Sequence, residues 1–169
     1  MRADAQRNRD LLVAAAVQVF AERGTDAPLD DVARRAGVGN ATMYRHFPTR
    51  SDLLLAVYAD EVSQLCTSAE TLREEAASPQ EALHEWLRLF MDHVATKPDL
   101  ALADPAQVAD WHRAMLTAAS SLLADAVRAE AVRADLDVRD LLTLVKGITL
   151  AAENRDQAER LLSLVNWGS

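Results

Sequence analysis

The chain has 169 residues, half of them apolar, with aromatics at 5% and five Gly and five Pro. Apolar content of this order is enough for a sizeable core and excludes a wholly disordered chain, and the length suits one domain or two small ones sharing an element. The formal charge is −8, and the single cysteine, Cys66, excludes an internal disulfide framework and a cysteine-built zinc site. Ala, Leu, Arg and acids dominate while β-branched runs are scarce, which predicts an all-α fold. The N-terminus reads MRADAQRNRD, without the apolar stretch of a secretory leader. The longest apolar run, Leu11 to Phe20 broken by Gln18, is too short to span a bilayer. A cytoplasmic setting is expected.

In chain order, a first helix is predicted from about Ala5 to Arg23, with Leu11/Leu12, Ala15/Ala16 and Val19/Phe20 at helical spacing and Gly24 as its stop. A second begins near Pro28, with Asp30 and Asp31 in its first turn, and ends at Gly37. A third, capped by Gly39 or Asn40, runs to Phe47, where Pro48 closes it. Thr49-Arg50-Ser51-Asp52 resembles a capping box opening a long fourth helix to about Ala76. Ser78-Pro79 starts a fifth, ending near Thr96. After a loop, KPDLALADP, a long helix is expected from Ala106 to Arg133, then two more over about Val138–Ala152 and Asp156–Trp167. The count is about nine helices, with a cluster of short ones before Pro48.

Charge is unevenly shared. Through Ala59 there are eight Arg against seven acids; from Asp60 onward, ten Lys and Arg face nineteen acids. Between Asp31 and Asp52 there is no acid at all, while Arg34, Arg35, Arg45, His46 and Arg50 fall there. Two short helices joined by GVGN around this window describe a helix-turn-helix, whose second helix enters a DNA major groove. Val38, Met43 and Phe47 suit the core side of that helix. Asn40, Ala41, Thr42, Arg45 and His46 are left for the other side. Arg45 can reach a guanine edge or a phosphate, Asn40 can read adenine, and the methyls of Ala41 and Thr42 can meet a thymine methyl. Tyr44 can offer its hydroxyl to a phosphate while its ring packs. Arg50, in the first turn of the fourth helix, can grip another phosphate together with peptide N–H groups.

The stretch LDDVARRAGVGNATMYRHFPTRSDLL resembles the signature of the tetracycline-repressor (TetR) family of bacterial transcription regulators, and AAAVQVFAERG upstream matches as well. The resemblance covers roughly Arg7 to Asp60. It implies that Thr42, Tyr44, His46 and Arg50 contact the DNA backbone and that Asn40, Ala41 and Arg45 face bases. It also implies an all-α homodimer with a helix-turn-helix domain over residues 1–54 and a helical dimerisation and effector-binding domain over 55–169. Release of a repressor from a palindromic operator by a small molecule would follow.

The last two helices support a dimer independently. Leu141, Leu142, Leu144, Val145, Ile148 and Leu150 leave the first apolar on most faces, and Leu161, Leu162, Leu164, Val165 and Trp167 extend the second. For an effector pocket the candidates are Cys66, Trp86, Phe90, Met91, Trp111 and Met115, with His93 and His112 as polar contacts. Aromatics and Met at this spacing serve an ordinary core equally well. No phosphate-cradling glycine loop or metal-ligand pattern appears, and Glu81-x-x-His84 is only half of a two-metal carboxylate motif, so no cofactor, metal or catalytic residue is expected. The remaining alternative to a DNA-binding regulator is a helical adaptor that binds another protein.

Overall fold

The computed structural model describes residues 2–95 and 103–165. Eight α-helices occur among them and no strand: α1 Arg2–Arg23, α2 Leu29–Ala36, α3 Asn40–His46, α4 Arg50–Glu75, α5 Pro79–Ala95, α6 Pro105–Arg128, α7 Val138–Ala151 and α8 Arg155–Ser163. About nine were expected, and most of the expected loop before Pro105 lies outside the described residues, as does Trp167. The chain forms two compact units, one holding the residues through Asp60 and the other mainly those from Glu61 onward.

The first unit is built by local signals that agree with one another. Gly24, at φ +82°, and Gly37, at φ +67°, occupy the left-handed conformation that L side chains resist. At Gly37 the amide donates to the Arg34 carbonyl and that of Val38 to Ala33, a Schellman closure of α2. Leu12, Ala16 and Val19 of α1, Val32 and Ala33 of α2, Met43 of α3, Phe47 and Leu53 of α4 form one buried cluster. A feature outside the sequence reading braces it: the Arg9 guanidinium lies over the Phe47 ring, 5.6 Å from its centre.

The expected capping box opens α4. The Thr49 amide and hydroxyl both donate to the Asp52 carboxylate, at 2.9 and 2.7 Å, and the Asp52 amide donates back to the Thr49 hydroxyl at 3.2 Å. Thr49→Ala is therefore expected to lower stability by about 1 kcal/mol, the usual loss for an N-cap side chain, read by thermal unfolding.

In the second unit Trp86 is wholly buried. Its indole N–H donates to the Leu65 carbonyl at 2.8 Å, and its ring stacks on Phe90 at 5.7 Å. Leu122, Leu141, Val145 and Leu162 complete the interior. At the start of α5 the Ser78 hydroxyl accepts the Glu81 amide and the Glu81 carboxylate accepts the Ala77 amide, Asp137 caps α7 and Asn154 caps α8. α6 stops at Arg128, short of the expected Arg133. Glu130 takes the left-handed conformation at φ +54°, and the amides of Glu130 and Ala131 donate to Val127 and Ala126 in a second Schellman closure. No glycine marks that turn, so the residue types around it do not announce an end.

Candidate nucleic-acid interface

The orientation of α3 follows from its two inward side chains. Met43 is fully buried and Phe47, one turn on, is nearly so, as their spacing predicts. At ~100° per residue the remaining positions sort into three strips. Ala41 and Arg45, four apart, face directly away from Met43. Asn40 and Tyr44 form one flank, and Thr42 and His46 the other. Asn40, Ala41, Tyr44 and Arg45 are exposed, while Thr42 and His46 are half-buried. The Tyr44 ring is 46% exposed, so it packs less than expected. Its hydroxyl donates to Asp30 across 3.5 Å, the weak limit of a hydrogen bond.

The acid-free window is less uniformly basic than its composition. Arg34 pairs with Asp31 at 2.8 Å, and the same carboxylate also holds Arg23. Arg35 grips Glu22 of α1 through two parallel bonds of 2.9 and 2.7 Å. That guanidinium holds the Glu22 carboxyl below the ordinary glutamate range. Arg50, expected at a phosphate, turns its Nη1 onto two backbone carbonyls of the α1–α2 turn, Thr25 at 2.5 Å and Ala27 at 2.7 Å. It is half-buried there. Of the four arginines in the window, Arg45 is thus the one with neither ion pair nor hydrogen bond among the described residues.

The candidate effector residues do not converge on one cavity. Trp86 is core, with its N–H committed to Leu65. Phe90, Met115 and His112 line a cleft of about 480 Å³ between α5, α6 and α7. His93 lines a different cleft of about 350 Å³ between α4 and α5, with Asp92 and with Glu61, whose carboxylate is 3.8 Å from His93 Nδ1. Met91 is buried, and Cys66 and Trp111 are half-buried; none of the three lines either cleft. Burial pushes the Cys66 thiol up, away from a reactive thiolate. Arg139 and Leu142 of α7 join the first cleft and were not singled out from sequence, because the aromatic and Met pattern that suggested a pocket stops at α6.

On α7 and α8, Leu141, Val145 and Leu162 are buried, whereas Leu144, Leu150, Leu161 and Leu164 remain exposed. Glu81, half of the suspected metal motif, accepts the Ala77 amide as part of the α5 cap. Among the described residues no group of three or more His, Cys, Asp or Glu is placed to hold a metal ion. No helix among them is long and apolar enough to cross a membrane.

Residues 12–57 match the family model of bacterial regulatory proteins of the tetR family, and residues 78–168 match that of the SbtR-like transcriptional regulator C-terminal domain. A TetR transcriptional regulator of Streptomyces coelicolor shares 42% identity, covers 92% of this chain and 94% of its own, and superposes with a TM-score of 0.76. A TetR regulator of Mycobacterium vanbaalenii shares 35% identity over 95% of both chains, with a TM-score of 0.69. The repressor LfrR of Mycolicibacterium smegmatis is 38% identical over 77 residues, which is 46% of this chain and 40% of that protein. The activator FasR of the same species is 31% identical over 90 residues, 53% of this chain and 41% of that protein. Against the curated relatives it matches, the chain spans about half of their length.

Proposed function

Because the chain belongs to the TetR family of bacterial transcriptional regulators, and is a DNA-binding regulator on that ground, we propose that it acts as a homodimeric repressor that reads a palindromic operator through α3. Arg45 and Ala41 face the base edges, with Asn40 beside them. Thr42, Tyr44 and His46 flank that strip and meet the phosphates. The observation that carries this reading is Arg45: exposed, pointed away from the core, and uncommitted in a window whose other arginines are engaged within the protein. A cation left unpaired in a chain of net charge −8 suits a polyanion.

One recognition helix reads few base pairs, so two copies about one DNA turn (~34 Å) apart are needed for a usable site. Leu144, Leu150, Leu161 and Leu164 on α7 and α8 supply the apolar surface for pairing. In this reading residues 1–54, inside the compact unit that runs to Asp60, form the DNA-binding domain and 55–169 the dimerisation and effector domain. A small molecule in the latter would release the operator by favouring a dimer with wrongly spaced heads. Moving occupancy from 99:1 to 1:99 requires about 5.5 kcal/mol of differential binding. The relatives' names include one activator and one repressor, so the sign of control rests on this proposal alone.

Selection of random duplex DNA by the purified protein tests it, with an Arg45→Ala/Tyr44→Ala variant in parallel. An enriched palindrome that the variant fails to select is the expected result. Absence of enrichment by a folded dimer would replace this reading with a protein-binding adaptor.

A further inference from the structure

The cleft between α5, α6 and α7 differs from three other clefts among the described residues in carrying basic side chains without acidic ones. The larger cleft beside the α4 C-terminus carries Glu70, Glu74 and Asp125 together with Arg73 and Arg128, the α4–α5 cleft carries Glu61 and Asp92, and a cleft of about 410 Å³ along α4 carries no charged side chain. The cleft of about 480 Å³ has no acid in its lining. Its apolar part comes from Phe90, Met115 and Leu142, and its polar part from His112, Arg113 and Arg139. That is notable in a region where ten Lys and Arg face nineteen acids from Asp60 onward.

The two arginines are differently held. Arg113 pairs with Asp110, three residues back on α6, in an exposed contact at 2.8 Å whose two side chains are 71% and 66% accessible. Such pairs are weak and yield to a competing anion. The Arg139 guanidinium has no carboxylate or hydrogen-bond partner among the described residues. The nearest acid in sequence with a defined role, Asp137, turns its carboxylate onto the amides of Arg139 and Asp140 to cap α7. A guanidinium at the edge of apolar walls gains most from a planar anion, which it can hold with two parallel bonds. The apolar walls need a hydrocarbon body.

We propose that this cleft binds an amphipathic carboxylate, its apolar body against Phe90, Met115 and Leu142 and its head group on Arg139 and Arg113. The assignment rests on the effector-release reading only for its consequence on DNA, not for binding itself. Amines of the same shape are rejected by the cleft's charge, and neutral alcohols bind through the apolar walls alone.

Calorimetric titration of the full-length protein with decanoate, 1-naphthoate, decanol and decylamine, all below micelle formation, tests the assignment. At least one carboxylate should bind about tenfold or more tightly than decanol, and decylamine should not bind. Arg139→Gln should remove most of that carboxylate's advantage over decanol, and adding Arg113→Gln the remainder, while Arg139→Gln leaves the melting temperature unchanged, since the Arg139 guanidinium has no partner among the described residues. No binding by either carboxylate, equal binding of decanol, or an Arg139→Gln variant whose preference for the carboxylate is undiminished would each overturn it. Operator occupancy is scored separately. Carboxylate binding that is Arg139-dependent but leaves the operator occupied would sustain the site and defeat release. Release by decanol or decylamine, with both carboxylates inert, would defeat the site and sustain release.

Discussion

Arg50→Ala is expected to destabilise the N-terminal unit by about 1.5–3 kcal/mol and to weaken operator binding without flattening its salt dependence. The reason lies in where the guanidinium points. Its Nη1 donates to the carbonyls of Thr25 and Ala27, so the start of α4 is tied to the α1–α2 turn some two dozen residues earlier in the chain. These are charge-assisted bonds, the one to Thr25 exposed and the one to Ala27 part-buried, and removing the donor leaves two carbonyls to find water. A phosphate contact would behave differently. It would leave the melting temperature alone, and its loss would reduce the slope of log affinity against log salt by about 0.9 per subunit. Arg50→Lys separates the two further. Lysine restores the charge as a hydrated point, which satisfies a phosphate, but its ammonium ends one bond short of the Nη1 position that reaches both carbonyls. A stable Arg50→Ala protein with a flattened slope, rescued by lysine, would return Arg50 to the DNA.

The same residue marks how far the sequence could be read. Element boundaries were legible where their signals are local: Thr49 with Asp52 and Ser78-Pro79 mark starts and Gly37 the end of α2, each acting within a few residues of itself. The inward pair Met43 and Phe47 was legible for the same reason, being one helical turn apart. Charge in the window was not. Arg35 is neutralised by Glu22 from thirteen residues away, and Arg50 is held by two backbone carbonyls of a turn still farther back. Counting acids between Asp31 and Asp52 cannot see partners that folding brings in from α1 and its turn. The end of α6 was hidden because Glu130 adopts a conformation that glycine ordinarily marks. The effector candidates scattered because aromatic spacing does not fix which way each helix is rolled. Trp86 went to the core once Leu65 offered a carbonyl, whereas Phe90 and Met115 reached a cleft completed by α7.

Arg45→Ala is expected to cost about 1–3 kcal/mol per half-site if the guanidinium is bidentate to guanine, and so roughly twice that for a two-fold symmetric dimer. The loss should fall on one symmetric pair of operator positions, where base preference relaxes, with the rest of the motif retained. Stability should stay within about 0.5 kcal/mol of the parent, because the exposed guanidinium has no hydrogen-bond or ion-pair partner among the described residues. Arg34→Ala is the matched control. It removes an equal charge from the same window, yet its guanidinium is committed to Asp31 on α2 and lies outside the α3 strip. It should leave base preference intact. Binding titrations on the selected operator and on single-base variants of it, at two or more salt concentrations, distinguish the outcomes. Equal loss on every sequence, with a slope flattened by about 0.9 per subunit, would make Arg45 a phosphate contact. Unchanged affinity would remove it from the interface, and with it the argument that an uncommitted cation on the outward strip of α3 marks where the protein reads DNA.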